Sequence, residues 1–319
     1  MQKILVLLFS SFILISCGGE SELETEISKI PVDLSVIRFE QEFASSNAAD
    51  LPRLKREFPM FFSLSTPDSI WLNRMQEPLQ QEVTSEIAKK FPDASILVDG
   101  VGPLLQHIKY YFPRTKTPTI VTLNNDVDYA NRVIVADTLL LLSLDNFLGE
   151  DHFFYTDMTK FIAANLRPEQ LLPSIASKYA DKYVAPPTQN AFLEQLVYHG
   201  KKLYLQDLWL PNVDDADKIG YSQEQLDWAY ANEEQIWRYF IEKELLFSTD
   251  PKLVPRFIAP APFSKFYLEL DNKSPGMVGR FVGWQIVRSF MEKNDITPQQ
   301  LMVYDAKALY NLSKYKPKK

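Results

Sequence analysis

One cysteine, three histidines and ten glycines in 319 residues leave little material for metal chemistry or covalent catalysis. His107, His152 and His199 stand more than forty residues apart. No two of them lie one helical turn apart with a glutamate between them to activate a zinc-bound water. There is no Gly-x-Ser-x-Gly elbow, no P-loop and no Gly-x-Gly-x-x-Gly turn, so the residues imply neither a metal nor a cofactor. Beyond the first fifteen residues, no apolar run approaches the roughly 18 residues that a membrane-crossing helix needs. Positive charge is also short: 34 Lys and Arg face 41 Asp and Glu, a formal net charge of −7. Phosphate backbones are repelled by such a surface, and no basic stripe with interleaved aromatics offsets it, which excludes nucleic acid as a partner.

The single cysteine is informative by its position. Cys17 ends the segment Leu14-Ile15-Ser16-Cys17, which follows Lys3 and an apolar run over residues 4–13, and it is followed by Gly18 and Gly19. A short basic start, a hydrophobic stretch and a small residue before cysteine form the pattern of a bacterial lipoprotein signal. A buried first helix would explain the apolar run, but not a lone cysteine after a small residue and before a polar stretch. Residues 1–16 are therefore expected to be removed, leaving Cys17 lipidated and residues 17–30 as a flexible tether. The chain would be anchored to a membrane by its acyl chains, not spanning it. Loss of Lys3 takes the formal net charge from −7 to −8. With the thiol acylated, neither a disulfide nor a cysteine nucleophile is left, and packing alone must hold the domain together.

There is ample material for that packing. Hydrophobic residues make up 46% and aromatic residues 13% of the chain, and few glycines beside 21 prolines indicate helices with proline-marked joints. Val36, Phe39 and Phe43 recur at helical spacing. Thr66-Pro67-Asp68 is expected to start a long helix reaching Phe91, with Thr66 as its cap, and another helix covers residues 104–112. The β-branched runs at 119–123 and 133–136, with the apolar run 139–144, indicate a small sheet of about three strands, with Asn124-Asn125-Asp126 as the turn between the first two. Helical periodicity returns over 158–165, 168–183 and 188–208. Ser222 to Gln225 is a capping box, and Glu233 and Glu234 open a further helix. Pro255, Pro260 and Pro262 mark an extended connection before helices over 276–293 and from Thr297-Pro298. No repeat and no linker divides the chain. The expected fold is thus α+β, predominantly α-helical, a single compact domain over residues 31–319.

Candidate functional residues are few. Gly200 sits in mid-helix, where glycine costs about 1 kcal/mol against alanine, so it marks a helix crossing, a cleft lined by His199, Lys201 and Tyr204, or a helix break. Gly279 and Gly283, one turn apart, are expected to form a flat strip for a crossing helix. Trp237, Trp284 and Arg288, with Lys201 and Tyr204, could wall a ligand groove. His199 with Glu233 or Glu234 could serve as an acid–base pair if the fold brings them together. Asp214, Asp215 and Asp217 lack calcium-loop spacing and are expected to form a solvated turn.

Several segments together resemble a known family: Tyr198-His199-Gly200-Lys201-Lys202-Leu203-Tyr204, Ile219-Gly220-Tyr221, Asn232-Glu233-Glu234-Gln235-Ile236-Trp237, Pro260-Ala261-Pro262-Phe263 and Gly279-Arg280-Phe281-Val282-Gly283-Trp284-Gln285-Ile286-Val287-Arg288. The chain resembles the GldB gliding-motility lipoproteins of Bacteroidetes, from the cysteine signal through Asp145-Asn146-Phe147-Leu148-Gly149 to the last helix. The resemblance implies a cell-envelope lipoprotein of the gliding and secretion machinery, with other envelope proteins as partners, and no known reaction. The Gly-x-x-x-Gly-Trp-Gln-Ile-Val segment is also similar to the ending of zincin-like peptidases, in which a zinc helix follows a small sheet. That likeness implies a degenerate zincin-like fold, because residues 168–183 hold no ligand pair. The expected function is non-enzymatic binding or scaffolding on the periplasmic face of the outer membrane. The alternatives are a hydrolase of cell-wall or peptide material and a small-solute-binding lipoprotein.

Replacing Cys17 by Ser should abolish acylation and leave an uncleaved or soluble chain. Metabolic labelling with a fatty-acid probe checks this, and label retained by Cys17→Ser would place the anchor elsewhere.

Overall fold

The computed structural model describes residues 22–318, Leu270 excepted. Cys17 and the signal segment lie outside the described residues. The chain opens with helix α1 (Glu22–Ser28), strand β1 (Val36–Arg38) and helices α2 (Phe39–Ser45), α3 (Leu51–Glu57), α4 (Asp68–Gln76), α5 (Pro78–Lys90) and α6 (Ser95–Tyr111). Strands β2 (Thr119–Leu123), β3 (Val133–Val135) and β4 (Leu139–Ser143) follow. The remainder is helical: α7 (Lys160–Ala163), α8 (Leu171–Ala180), α9 (Phe192–Trp209), α10 (Asp215–Ile219), α11 (Gln223–Ala231), α12 (Glu233–Glu242), α13 (Leu253–Phe257), α14 (Val278–Lys293), α15 (Pro298–Val303) and α16 (Ala306–Ser313). This is the helix-dominated α+β fold that composition and periodicity indicate.

Several boundaries differ from the sequence reading for identifiable reasons. Residues 22–28 are not tether but helix, and the buried Ile27 docks α1 on α6. The long helix expected from Thr66 to Phe91 is two helices, because Pro78 cannot donate an amide in mid-helix and instead starts α5. Pro67, not Thr66, occupies the cap position of α4, and no side chain caps it. The helix expected from residue 188, with Thr188 as its cap, instead begins at Phe192, and Ala191 holds the cap position. Val36 leaves the helical pattern to join β1, which adds a fourth strand at one edge of the sheet.

The sheet runs β1-β2-β4-β3, with β1 and β4 parallel to β2 and only β3 antiparallel to its neighbour. Asn124 to Asp126 therefore do not join two paired strands. β4 sits between β2 and β3, with Ile120 opposite Leu140 and Val133 opposite Leu142. Alternation in a sequence identifies strands but not their order across a sheet. Ile120, Leu140 and Leu142 are buried in a main core that continues through α6, α8, α9 and α14. A smaller aromatic core forms under α2, α3 and α4 from Leu51, Leu54, Phe58, Phe62 and Met75.

The dominant packing event is the crossing of α9 and α14. A β-carbon added at Gly200 would stand 2.2 Å from the carbonyl oxygen of Gly283, and one added at Gly283 would stand 1.8 Å from that of Leu196. At Gly279 it would meet Ile258 Cδ1 at 2.7 Å and the carbonyl oxygen of Phe257 at 2.9 Å. The mid-helix glycine thus marks a close backbone approach, not a cleft or a helix break. These helices touch through backbone, and no side chain fits between them.

Replacing Gly283 by Ala should destabilise the fold by about 3 kcal/mol or more, since the obstacle is backbone and cannot rotate away. Gly100→Ala is the contrast. The nearest atoms its added methyl meets across the packing are in the side chain of Leu172, at 3.3 Å, which can shift, so it should change stability by less than about 1 kcal/mol. Denaturant unfolding of the two variants checks the difference, and a Gly283→Ala variant as stable as the parent would refute the close approach.

Candidate functional site

A cleft of about 870 Å³ opens near the C-terminal ends of β2 and β4. Its walls are the segment 129–133 after β2, Gly149 and Glu150 after β4, the segment 161–170, α8, the Gly220 turn and the start of α14. In sheets with parallel strands, the loops at the carboxyl ends are the usual place for ligands.

Asp145 shapes one of these walls. Its carboxylate, wholly buried, accepts the backbone N–H of Val127 at 2.6 Å and of Asn125 at 3.3 Å. The loop is thereby bent so far that Asp126 and Val127 sit at φ 60° and 58°. A β-branched residue in the left-handed region is strained by about 1–3 kcal/mol and persists only where its surroundings hold it. The Tyr155 hydroxyl donates to the Asp145 carbonyl at 2.5 Å and accepts from Leu148 N–H at 3.1 Å. The bend also sends the Asp126 side chain to Arg74 and Gln80, at 2.6 and 2.7 Å, which fastens the loop to α4 and α5.

Charge on the cleft runs against the charge of the chain. Lys90, Arg132, Arg167, Lys178, Lys218 and Arg280 line it, against only Glu150 and Glu169. Arg167 is paired with Asp217 at 2.5 Å, and Lys218 lies 3.3 and 3.4 Å from Asp207 and Asp215. Among the described residues, no ion pair reaches the other four cations. Lys90 and Lys178 are exposed, whereas Arg132 and Arg280 are recessed. Arg132 donates to the Asn165 carbonyl at 2.7 Å, and Arg280 Nε to the Ile258 carbonyl at 2.7 Å. Burial pushes both guanidinium groups down to about 10, so each stays charged at neutral pH with carbonyls in place of a counter-ion. Arg280 also occupies the first turn of α14, where the helix dipole disfavours a cation and no acidic residue compensates.

The candidates named from sequence do not meet at one site. Burial, with Arg280 and Lys202 nearby, pushes the His199 imidazole down to about 2, so it is neutral and weakly basic at any physiological pH. Glu233 is buried and accepts the Tyr315 hydroxyl at 2.6 Å, while Glu234 pairs with Arg238 one turn along α12. No hydrogen bond or ion pair among the described residues joins His199 to either glutamate. The expected groove also dissolves into separate packing tasks. Lys201 donates to the carbonyls of Met302 and Tyr304, at 3.2 and 2.7 Å, and burial pushes it down to about 8. Trp237 packs against Tyr310 and Tyr315, and Tyr204 packs half-buried against the main core. Trp284 is wholly buried and donates to Asp207 at 2.8 Å. Arg288 lies over its ring and grips Asp207 and Asp215 with two bonds each, at 2.7 to 2.9 Å. Asp215 and Asp217 are therefore not a solvated turn but the anionic half of ion pairs that tie α10 to α14 and to Arg167.

The cleft was missed because Arg132, Lys178 and Arg280 belong to no motif. The one local signal was Arg280 at the start of a helix. The cleft-facing residues of α8 are Pro173, Ser174, Ser177 and Lys178, which offer neither carboxylate nor imidazole where the zincin likeness would seek them. Among the described residues, no group of three His, Cys, Asp or Glu is placed to hold a metal.

A family model described as gliding motility protein GldB matches residues 20–317. No curated protein and no solved structure matches the chain.

Burial holds the Asp145 carboxyl up at about 6, against an ordinary value of 3.8. Its folded-state value lies above its unfolded one, so the folded chain binds the extra proton between about pH 4 and pH 6. This contribution to stability is present at pH 4 and is lost as pH rises to 6, by about 3 kcal/mol. Asp145→Asn has no such titration. Its stability relative to the parent should therefore improve by about that amount between pH 4 and pH 8, whatever the offset at pH 4. Urea unfolding across the range checks it, and parallel curves would show that Asp145 is ionised without penalty.

Proposed function

We propose that the chain, which belongs to the GldB gliding-motility family, is a lipid-anchored binding component of the gliding apparatus that works without catalysis. It faces the periplasm from the outer membrane and acts with other envelope proteins of the gliding and secretion machinery. The observation that carries this reading is the cleft, where Arg132 and Arg280 are recessed without a carboxylate. A desolvated cation lacking a counter-ion disfavours folding, and that is the arrangement of a site completed by its ligand. His199, Glu233 and Glu234 support the reading from the other side, since each is engaged in local structure and they form no acid–base pair. No helix among the described residues is long and apolar enough to cross a membrane, which fits attachment through Cys17.

Complementation in the native bacterium separates binding from hydrolysis. With envelope levels matched by immunoblot, Arg280→Gln and Arg132→Gln should stop gliding, while His199→Ala and Glu234→Gln should glide. The reverse pattern would favour a hydrolase working through His199.

A further inference from the structure

We infer that the cleft takes a compact anion of the phosphate-ester class bearing more than one negative charge, seated on Arg132 and Arg280 with Lys90 and Lys178 at the rim. The inference rests on the reading of the cleft as a ligand site and adds the chemistry of the ligand.

Three observations lead there. First, the lining carries four cations that no carboxylate among the described residues pairs with, in a chain whose net charge is −7. A single carboxylate would leave most of that charge uncompensated, whereas a phosphate brings up to two charges and several acceptor oxygens. Second, the two recessed groups are guanidinium forks, which match a phosphate or carboxylate edge with two parallel bonds. Nη1 of Arg132 has already found Asn165, and among the described residues Arg280 has a hydrogen-bond acceptor for Nε alone. Its terminal nitrogens are the donors left for a ligand. Third, the start of α14 lies on the same wall with Gly276 and Met277, and its first turn contains no acidic residue. The positive end of a helix of 16 residues adds to the field that the arginines create.

Geometry limits the ligand's size. Asn165, whose carbonyl accepts from Arg132, also donates to the Gly220 carbonyl at 3.2 Å, and the hydroxyl of the adjacent Tyr221 donates to the carbonyl of Gly276, four residues before Arg280. An anion seated on both arginines must carry more than one charge to answer them. The acidic surface outside the cleft repels a long polyanion, and only a compact group or headgroup reaches the recessed arginines. The volume of about 870 Å³ leaves room for an organic moiety beside Phe161, Pro173 and Met277. That moiety could belong to a free phosphorylated metabolite or to a phospholipid headgroup, and the phosphate is common to both.

Isothermal titration of the full lipidated chain in neutral detergent, at low ionic strength, tests the assignment with inorganic pyrophosphate, citrate and dihexanoyl phosphatidic acid. Pyrophosphate or the phosphatidic acid should bind saturably at one site per chain, and citrate more weakly. Tighter binding of the lipid places the source in the membrane, and tighter binding of pyrophosphate places it among free metabolites. Arg280→Gln and Arg132→Gln should each weaken binding by about tenfold or more, whereas Arg280→Lys, which keeps the charge but not the fork, should weaken it less than Arg280→Gln does. Circular dichroism and melting of each variant confirm that the folded chain is what binds. Absence of saturable binding by both phosphate probes, preference for citrate, or undiminished binding in both Gln variants would overturn the phosphate assignment. If those Gln variants stop gliding while no phosphate binds, the cleft survives as a site and only the ligand class falls. If phosphate binds and the variants still glide, the class stands and the proposed function falls.

Discussion

The backbone contact between α9 and α14 at Gly200 and Gly283 determines the placement of nearly every polar feature in this molecule. Two helices that close have no freedom to slide, because any shift drives a carbonyl into a Cα. The register of α14 along α9 is therefore set to within a fraction of a turn. One turn beyond the contact, Arg288 reaches Asp207 of α9 and gathers Asp215 with it. One turn before it, Arg280 is carried to the wall of the cleft. Lys201, next to Gly200, points the other way and holds the carbonyls of Met302 and Tyr304, which ties α15 to the pair. A helix pair spaced by leucines would tolerate a rotation of some degrees, and these groups would then miss their partners.

The same helix thus presents two arginines with opposite fates. Arg288 is overcompensated: burial alone would lower its proton affinity, but Asp207 and Asp215 hold it above its ordinary value. Breaking that knot would leave two half-buried carboxylates with Lys218 as the one cation paired to them among the described residues, a destabilising change. Arg280 has only a carbonyl, and burial lowers it. If chain stability were the only constraint, the spare carboxylates of an acidic protein could have been placed beside Arg280 as they are beside Arg288. The paired arginine is structural, and the unpaired one is available to an external anion.

Much of the fold was legible because it follows local rules. The capping box at Ser222 and the cap at Thr297 form as their spacing demands, the β-branched runs become strands, and the interface glycines are close contacts. What failed depended on information that a local window lacks. Strand order was invisible, so β4 was not seen to separate β2 from β3, and the bend at Val127 depends on the carboxylate of Asp145, 18 residues later. The side chains singled out from sequence as site candidates do not gather in one groove, for one physical reason. Trp284, Arg288, Lys201 and Glu233 are polar or amphipathic groups with the chemistry of ligand contacts, but the fold uses that chemistry to join helices to one another. Residue type alone cannot separate a side chain that binds a ligand from one that binds a neighbouring helix.

A conflict between a residue and its local setting was the better guide. Trp284 and Arg288 suit their positions, so nothing about them calls for a ligand. Arg280 does not: a cation in the first turn of a helix opposes the dipole, and it lies between two glycines whose contact admits no alternative register. Val127 is in the same class, a β-branched residue at positive φ on the loop after β2. Both belong to segments at the carboxyl ends of the parallel strands or facing them across the cleft, and each is held by groups remote in sequence, Asp145 for Val127 and the α9–α14 crossing for Arg280. Arg280 lines the cleft and Val127 stands two residues before the lining segment that begins at Tyr129, so structural cost is concentrated near a place where an external group could offset it. An anion that neutralises Arg280 would remove the larger of the two penalties, because it supplies the counter-charge that the chain itself withholds.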